Sequence, residues 1–211
     1  MSTYSLIEIF TMIFVTMGPI KVLVTFAEKT LDLDKTVRHR IAIRAVTVAT
    51  VVGLVFIFFG FLLMKVFKFS SIALSLAGGL ILLIYSIKSI LKEPKKGEKR
   101  GYATDREAEQ MAIYPLAVPL MASPMGLVVL TAISASKEIG PAAFAILTAA
   151  LLVVMVVNLV ALLSVEGVTK YLNVETLEVA NRILALLLAA LAMETIINSG
   201  SFLAREMLNQ L

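Results

Sequence analysis

Cysteine is absent and histidine occurs once, at His39. Without thiols the chain forms neither disulfides nor thiolate metal sites, and its redox compartment is unreadable. His39 stands in a charged segment, and one imidazole makes no His-rich metal or catalytic cluster. Charge is scarce as well. Of 211 residues, 16% are charged and 59% are hydrophobic, against about 25% and about 45–50% in soluble domains. The net charge of +4 is no signal for nucleic acid. No P-loop signature is present, which argues against an ATP-driven pump. No metal or other cofactor is implied. The chain is filled instead by long apolar runs, so the expected class is an all-α, polytopic transmembrane protein.

A spanning helix needs about 20 mainly apolar residues. Six such stretches occur, near 5–27, 41–67, 70–91, 111–135, 142–165 and 177–200. The start, Met1-Ser2-Thr3-Tyr4, lacks the basic region of a cleavable signal, so the first run reads as a span. Residues 28–40 read as a polar loop. Residues 92–110 read as a flexible basic linker around Pro94, Gly97 and Gly101, with a short helical tail from Asp105 to Gln110. The expected organisation is a first three-helix unit over 1–91, this linker, and a second unit over 111–211.

Basic residues set orientation. One face would carry Lys29, Lys35, Arg38, Arg40, Lys92, Lys95, Lys96, Lys99, Arg100, Arg106 and Lys170. The other has Lys65, Lys68, Lys137 and Arg205. The first face is expected in the cytoplasm of a cell membrane, with both termini outside.

Two apolar runs are interrupted by a proline beside a small residue. They are Met17-Gly18-Pro19-Ile20-Lys21 and Ala122-Ser123-Pro124-Met125-Gly126. Proline lacks a backbone donor and clashes with the preceding turn, so each span must kink or break there. The two prolines lie half a chain apart. Three helices per half is an odd number, so a repeat of the halves would be inverted, as in many secondary transporters. Ala77-Gly78-Gly79 in the third run and Ala180-Asn181-Arg182 in the sixth stand at nearly the same offset.

Inverted halves would bring two half-helix N-termini together near the midplane. Each carries about half a positive charge and spare N–H groups, a setting for a carboxylate. The preceding half-helices would end in spare carbonyls at Val15–Met17 and Leu120–Ala122, which suit an ammonium group. Gly18, Ser123 and Gly126 leave room only for a small ligand, and the hydroxyls of Thr16, Thr25 and Ser123 are further partners. The alternative for each proline is a packing kink without a ligand. Gly78 and Gly79 either wall the cavity or let helices pack closely. Lys21 reads either as a substrate or proton site, or as a chain that snorkels to the interface. Glu8 and Glu194 are proton-relay candidates that equally suit interfacial water. Asn158 reads as interhelical glue rather than a ligand contact. Arg182 reads as a snorkelling or helix-pairing residue, with a gate salt bridge as the sharper option.

Several of these runs resemble the MarC family, six-helix membrane proteins once linked to multiple antibiotic resistance. The resemblance rests on Ala77-Gly78-Gly79-Leu80-Ile81-Leu82, on Tyr114-Pro115-Leu116-Ala117-Val118-Pro119-Leu120, and on Ser123-Pro124-Met125-Gly126. It spans essentially the whole chain. It implies transport of small neutral amino acids such as glycine and alanine, driven by the proton gradient, with Gly18-Pro19 and Ser123-Pro124 as the substrate-binding breaks. The first break departs from the family's usual Asp-Pro-x-Gly and the second from Gly-Pro-Gly. The arginine often found before Ala-Gly-Gly is missing here. The absent acid leaves proton and sodium both open as the coupling ion.

The expected function is therefore secondary transport of a small neutral amino acid by alternating access, not catalysis. An intramembrane enzyme would need a nucleophile or metal constellation that the composition does not supply. A channel or an assembly partner is the remaining alternative. A pore through such apolar helices would require a homo-oligomer.

Overall fold

Proline, glycine and charge punctuate the apolar runs into helices. The computed structural model describes residues 6–30, 33–91, 110–135, 141–165, 167 and 174–208. Among these the regular elements are all helical. They are α1 (Leu6–Met17), α2 (Pro19–Thr30), α3 (Lys35–Phe67), α4 (Ser71–Leu91), α5 (Ala112–Met121), α6 (Pro124–Ser134), α7 (Pro141–Leu163) and α8 (Val174–Leu208). Residues Ile7–Thr30 form one span interrupted at Gly18, and α5 with α6 form another that bends by 56°. The helices α3, α4, α7 and α8 each hold a segment long and apolar enough to cross a bilayer. The chain is thus an all-α, polytopic protein with up to six spans. The 92–110 linker, apart from Gln110, lies outside the described residues, as does Lys170.

Two sequence expectations are corrected. Residues 35–40 are not loop but the opening of α3. Its apolar window marks only the part that would lie in lipid, while the helix continues through Lys35, Arg38 and Arg40. Arg38 is buried there, and its guanidinium donates to the Leu33 carbonyl at 3.2 Å. The second correction concerns α5, which is not a regular α-helix. Tyr114 and Val118 are extended, at φ −126°, ψ 123° and φ −129°, ψ 125°, and both following X–Pro bonds are cis. A residue before proline is pushed out of the helical region, and the proline itself donates no hydrogen bond.

Most of the helix packing joins residues 6–91 to residues 110–208. The contacts pair α3 with α7, α4 with α8, α3 with α5 and α6, α7 with α1 and α2, α4 with α6, α8 with α2, α1 with α6, and α2 with α5. Exchanging α1, α2, α3 and α4 for α5, α6, α7 and α8 maps these pairings onto one another, while two smaller contacts, α6 with α7 and α4 with α5, have no such counterpart. The interior holds Ile13, Met17, Phe26, Leu116, Leu120, Met121, Leu130, Leu151 and Met155, all fully buried. Large apolar side chains such as Phe58, Phe59, Phe61, Leu186 and Leu187 point outward, as a lipid-facing surface requires.

Close approach depends on glycine. A Cβ at Gly78 would sit 1.9 Å from the Pro124 Cβ, so α4 reaches the start of α6 only because position 78 has no side chain. A Cβ at Gly60 would sit 2.4 Å from the Thr131 hydroxyl, and one at Gly53 2.8 Å from Leu151. Small residues at such crossings let helices pack without a hydrophobic drive from water. Gly200, by contrast, has nothing within 4 Å. Replacing Gly78 by alanine should destabilise the protein by about 1–3 kcal/mol through overpacking. Gly200→Ala should be neutral or stabilise by up to about 1 kcal/mol. Unfolding in mixed detergent micelles distinguishes the two, and equal effects would contradict the crossing just described.

Candidate functional site at the paired helix breaks

The first break is a single non-helical residue. Gly18 lies so close to the preceding turn that a Cβ would stand 2.2 Å from the Phe14 carbonyl oxygen. Pro19 then opens α2, where its missing N–H costs nothing. The second break is Ala122-Ser123. Ser123 is extended at φ −70°, ψ 144° and is the N-cap of α6, with Pro124 in the first turn.

One hydroxyl joins the breaks. Ser123 Oγ accepts from the Gly126 N–H at 3.2 Å, capping α6. The same oxygen donates its proton to the Thr16 carbonyl at 2.6 Å, at the end of α1. The Thr16 carbonyl also accepts from the Lys21 ammonium. The neighbouring Met17 carbonyl accepts from the Asn158 amide of α7 at 2.9 Å. Met17 itself is fully buried and lies over Gly126, where a Cβ would come within 2.3 Å of its Cγ. Thus Thr16, Lys21, Ser123, Pro124, Gly126 and Gly78 do converge on one place, beside Gly18 and Pro19.

The geometry alters two expectations and bears out a third. The carbonyls of Thr16 and Met17 are not spare, because Ser123, Lys21 and Asn158 already donate to them. Lys21 hooks back onto the break rather than extending toward the interface. Asn158 is interhelical glue, tying α7 to the end of α1 through the Met17 carbonyl. Its NH2 group also donates to the Val154 carbonyl at 2.9 Å, and its buried Oδ1 has no hydrogen-bond partner among the described residues.

Other candidates lie apart from this cluster. The Thr16 hydroxyl is turned back to the carbonyls of Met12 and Ile13, at 2.7 and 3.3 Å. Gly79 faces α8, where a Cβ would meet Ile196 at 2.9 Å and the Ala192 carbonyl at 3.2 Å. Glu8 and Arg182 are exposed, and exposed Glu194 accepts from Asn198 at 2.9 Å.

A second polar cluster escaped the sequence reading. Near the end of α2, the Thr25 hydroxyl donates to Asn181 Oδ1 of α8 at 3.2 Å. The Asn181 NH2 group donates to Glu28 Oε2 at 2.9 Å and to Ser89 Oγ of α4 at 3.3 Å. Tyr85 packs beside it, edge-on to Tyr114 with ring centres 6.1 Å apart. Thr25 and Glu28 share one helix face by their three-residue spacing. That spacing was the available signal, but Glu28 reads in sequence as a loop charge.

Opposed partial charges meet at the breaks. The first turns of α2 and α6 each contribute about half a positive charge and the last turns of α1 and α5 about half a negative one, with Lys21 lying against the carbonyl end of α1. Breaks within apolar spans, bridged by internal polar groups, define an integral membrane protein with an internal polar site. The chain belongs to the MarC family: residues 3–202 match the model described as MarC family integral membrane protein. It is similar to a UPF0056 membrane protein of Methanocaldococcus jannaschii, at 28% identity over 90% of this chain and 92% of that one. A second from the same organism is 29% identical, covering 89% of this chain and 82% of its own length. One from Archaeoglobus fulgidus is 28% identical, covering 88% and 87%. No solved structure matches the chain significantly.

Ser123→Ala removes both a helix cap and an interhelical bond. It should destabilise the folded protein by about 1–2 kcal/mol, read from the same micelle unfolding. A variant as stable as the parent would mean that the bridge between the breaks does not hold in the bilayer.

Proposed function

We propose that this protein is a secondary transporter of small neutral amino acids, of the glycine and alanine class, working by alternating access in the cell membrane. The observation that carries the reading is the meeting of two broken spans at Ser123. In an apolar bundle, irregular backbone is retained where it is buried in protein or lines a cavity. The Lys21 ammonium and the first turns of α2 and α6 would receive the substrate carboxylate. Gly18, Pro19, Ser123, Pro124 and Gly126 would keep the backbone within reach of a small ligand, with Gly78 against Pro124.

Inverted three-helix halves are part of the same reading. The exchange symmetry of the larger helix pairings supports it, as does the odd number of spans per half. Rocking one half against the other would open the site alternately to each side. Met17 over Gly126 would close one path, and the Thr25–Asn181–Glu28–Ser89 cluster would close the other. The basic residues near α2 and α3 favour that end as cytoplasmic, which puts both termini outside. We take the proton as the coupling ion, carried by Lys21 or by exposed Glu8 or Glu194, with sodium as the alternative. The role is transport rather than catalysis.

Purified protein in liposomes should take up labelled glycine or alanine, faster when an inward proton gradient is imposed. Pro19→Ala and Pro124→Ala should each cut uptake at least tenfold while leaving the protein folded. Uptake absent under every gradient would sink the amino-acid reading. Unchanged kinetics in both proline variants would leave the breaks as packing kinks.

A further inference from the structure

We propose that Asn158 is a substrate-binding residue and that its side-chain oxygen receives the ammonium group of the transported amino acid. The inference rests on the transporter reading above and names the part of the site that the break itself does not supply. At the end of α1, the Thr16 carbonyl is taken by Lys21 and Ser123, and the Met17 carbonyl by Asn158. An incoming ammonium group therefore finds the Thr16 carbonyl doubly bonded and the Met17 carbonyl already bonded once. Asn158 supplies the replacement.

The orientation of its amide is fixed by chemistry. Both bonds made by its nitrogen go to carbonyl oxygens, Met17 and Val154, each at 2.9 Å. Carbonyls only accept, so the NH2 group must be on that side and the oxygen on the other. The side chain is fully buried, and Oδ1 lacks a hydrogen-bond partner among the described residues. Leaving a buried acceptor unsatisfied is unfavourable. A ligand bearing N–H groups removes that penalty on binding, whereas one lacking donors does not. A site that hydrogen-bonds a substrate group discriminates strongly against analogues without it.

Asn158 and Lys21 also bond to successive carbonyls, Met17 and Thr16. A donor-seeking oxygen and a cation are thereby anchored one residue apart on the same turn. The two charges of an amino acid have their centres only a few ångströms apart, so a small zwitterion matches this pair. A larger side chain would meet Met17 and Gly126.

The test compares competitors of labelled alanine uptake in liposomes. Wild type is expected to be inhibited by glycine at least tenfold more strongly than by N,N,N-trimethylglycine, which keeps the charge but has no N–H, or by propionate, which has neither. Glycolate, with a hydroxyl, separates an ammonium site from one that takes any donor. Asn158→Leu, similar in size but without an acceptor, should raise the KM for alanine at least tenfold and level this ranking. Asn158→Asp keeps the acceptor and should retain the preference for glycine over propionate, and both variants are checked by thermal unfolding. A purely structural Asn158 would lower uptake of all substrates together and leave the ranking intact, which overturns the proposal. Glycolate competing as well as glycine also overturns it. Wild type that takes up no amino acid fails the transporter reading itself, a result distinct from an active wild type with an indifferent Asn158.

Discussion

The Ser123 hydroxyl meets two demands that hydrocarbon imposes on a broken helix. Its oxygen accepts the Gly126 N–H at the head of α6, and its proton goes to the Thr16 carbonyl at the foot of α1. Water satisfies such groups in a soluble protein, but none is present in the bilayer core, so each unpaired backbone group costs several kcal/mol. Breaking one span alone would leave its ends unpaired. Facing the two breaks lets the Ser123 cap of the second also satisfy the Thr16 carbonyl of the first. This bond holds the end of α1 against the start of α6, and Gly78 then lets α4 close on Pro124.

The same constraint concentrates charge. Lys21 in an apolar span is costly, by about 2.5–3.5 kcal/mol on insertion scales. Its ammonium goes to the carbonyl end of α1, the negative end of that half-helix, where a cation is favoured. Asn158 completes the turn by holding Met17. The carbonyls of Thr16 and Met17 thus already hold internal donors, while the buried Asn158 oxygen has no partner among the described residues. In the proposed cycle these groups would alternate between each other and the substrate.

Much of this was legible in the residues. Apolar runs of spanning length gave the helices, and Gly18-Pro19 and Ser123-Pro124 marked both breaks, because proline acts locally and needs no partner to be read. The distorted course of α5 was implicit in Pro115 and Pro119, though an apolar window hides it. Partners across the bundle were not legible. Nothing adjacent to Asn181 names Glu28 or Thr25, and nothing near Asn158 names Met17. Lys21 looked equally able to snorkel or to stay, and only the position of the Thr16 carbonyl decides between them. The opening of α3 was missed because Lys35 to Arg40 are polar, and polarity distinguishes lipid from water, not helix from loop.

The central claim is that two breaks far apart in sequence form one site. The absence of native cysteine makes it directly measurable. Met17→Cys and Gly126→Cys can be introduced together, placing a thiol where the Met17 side chain now covers the glycine. A mild oxidant should then form a disulfide within the chain, and added alanine should slow its formation. Two cysteines that both react with a maleimide yet never join would contradict the account.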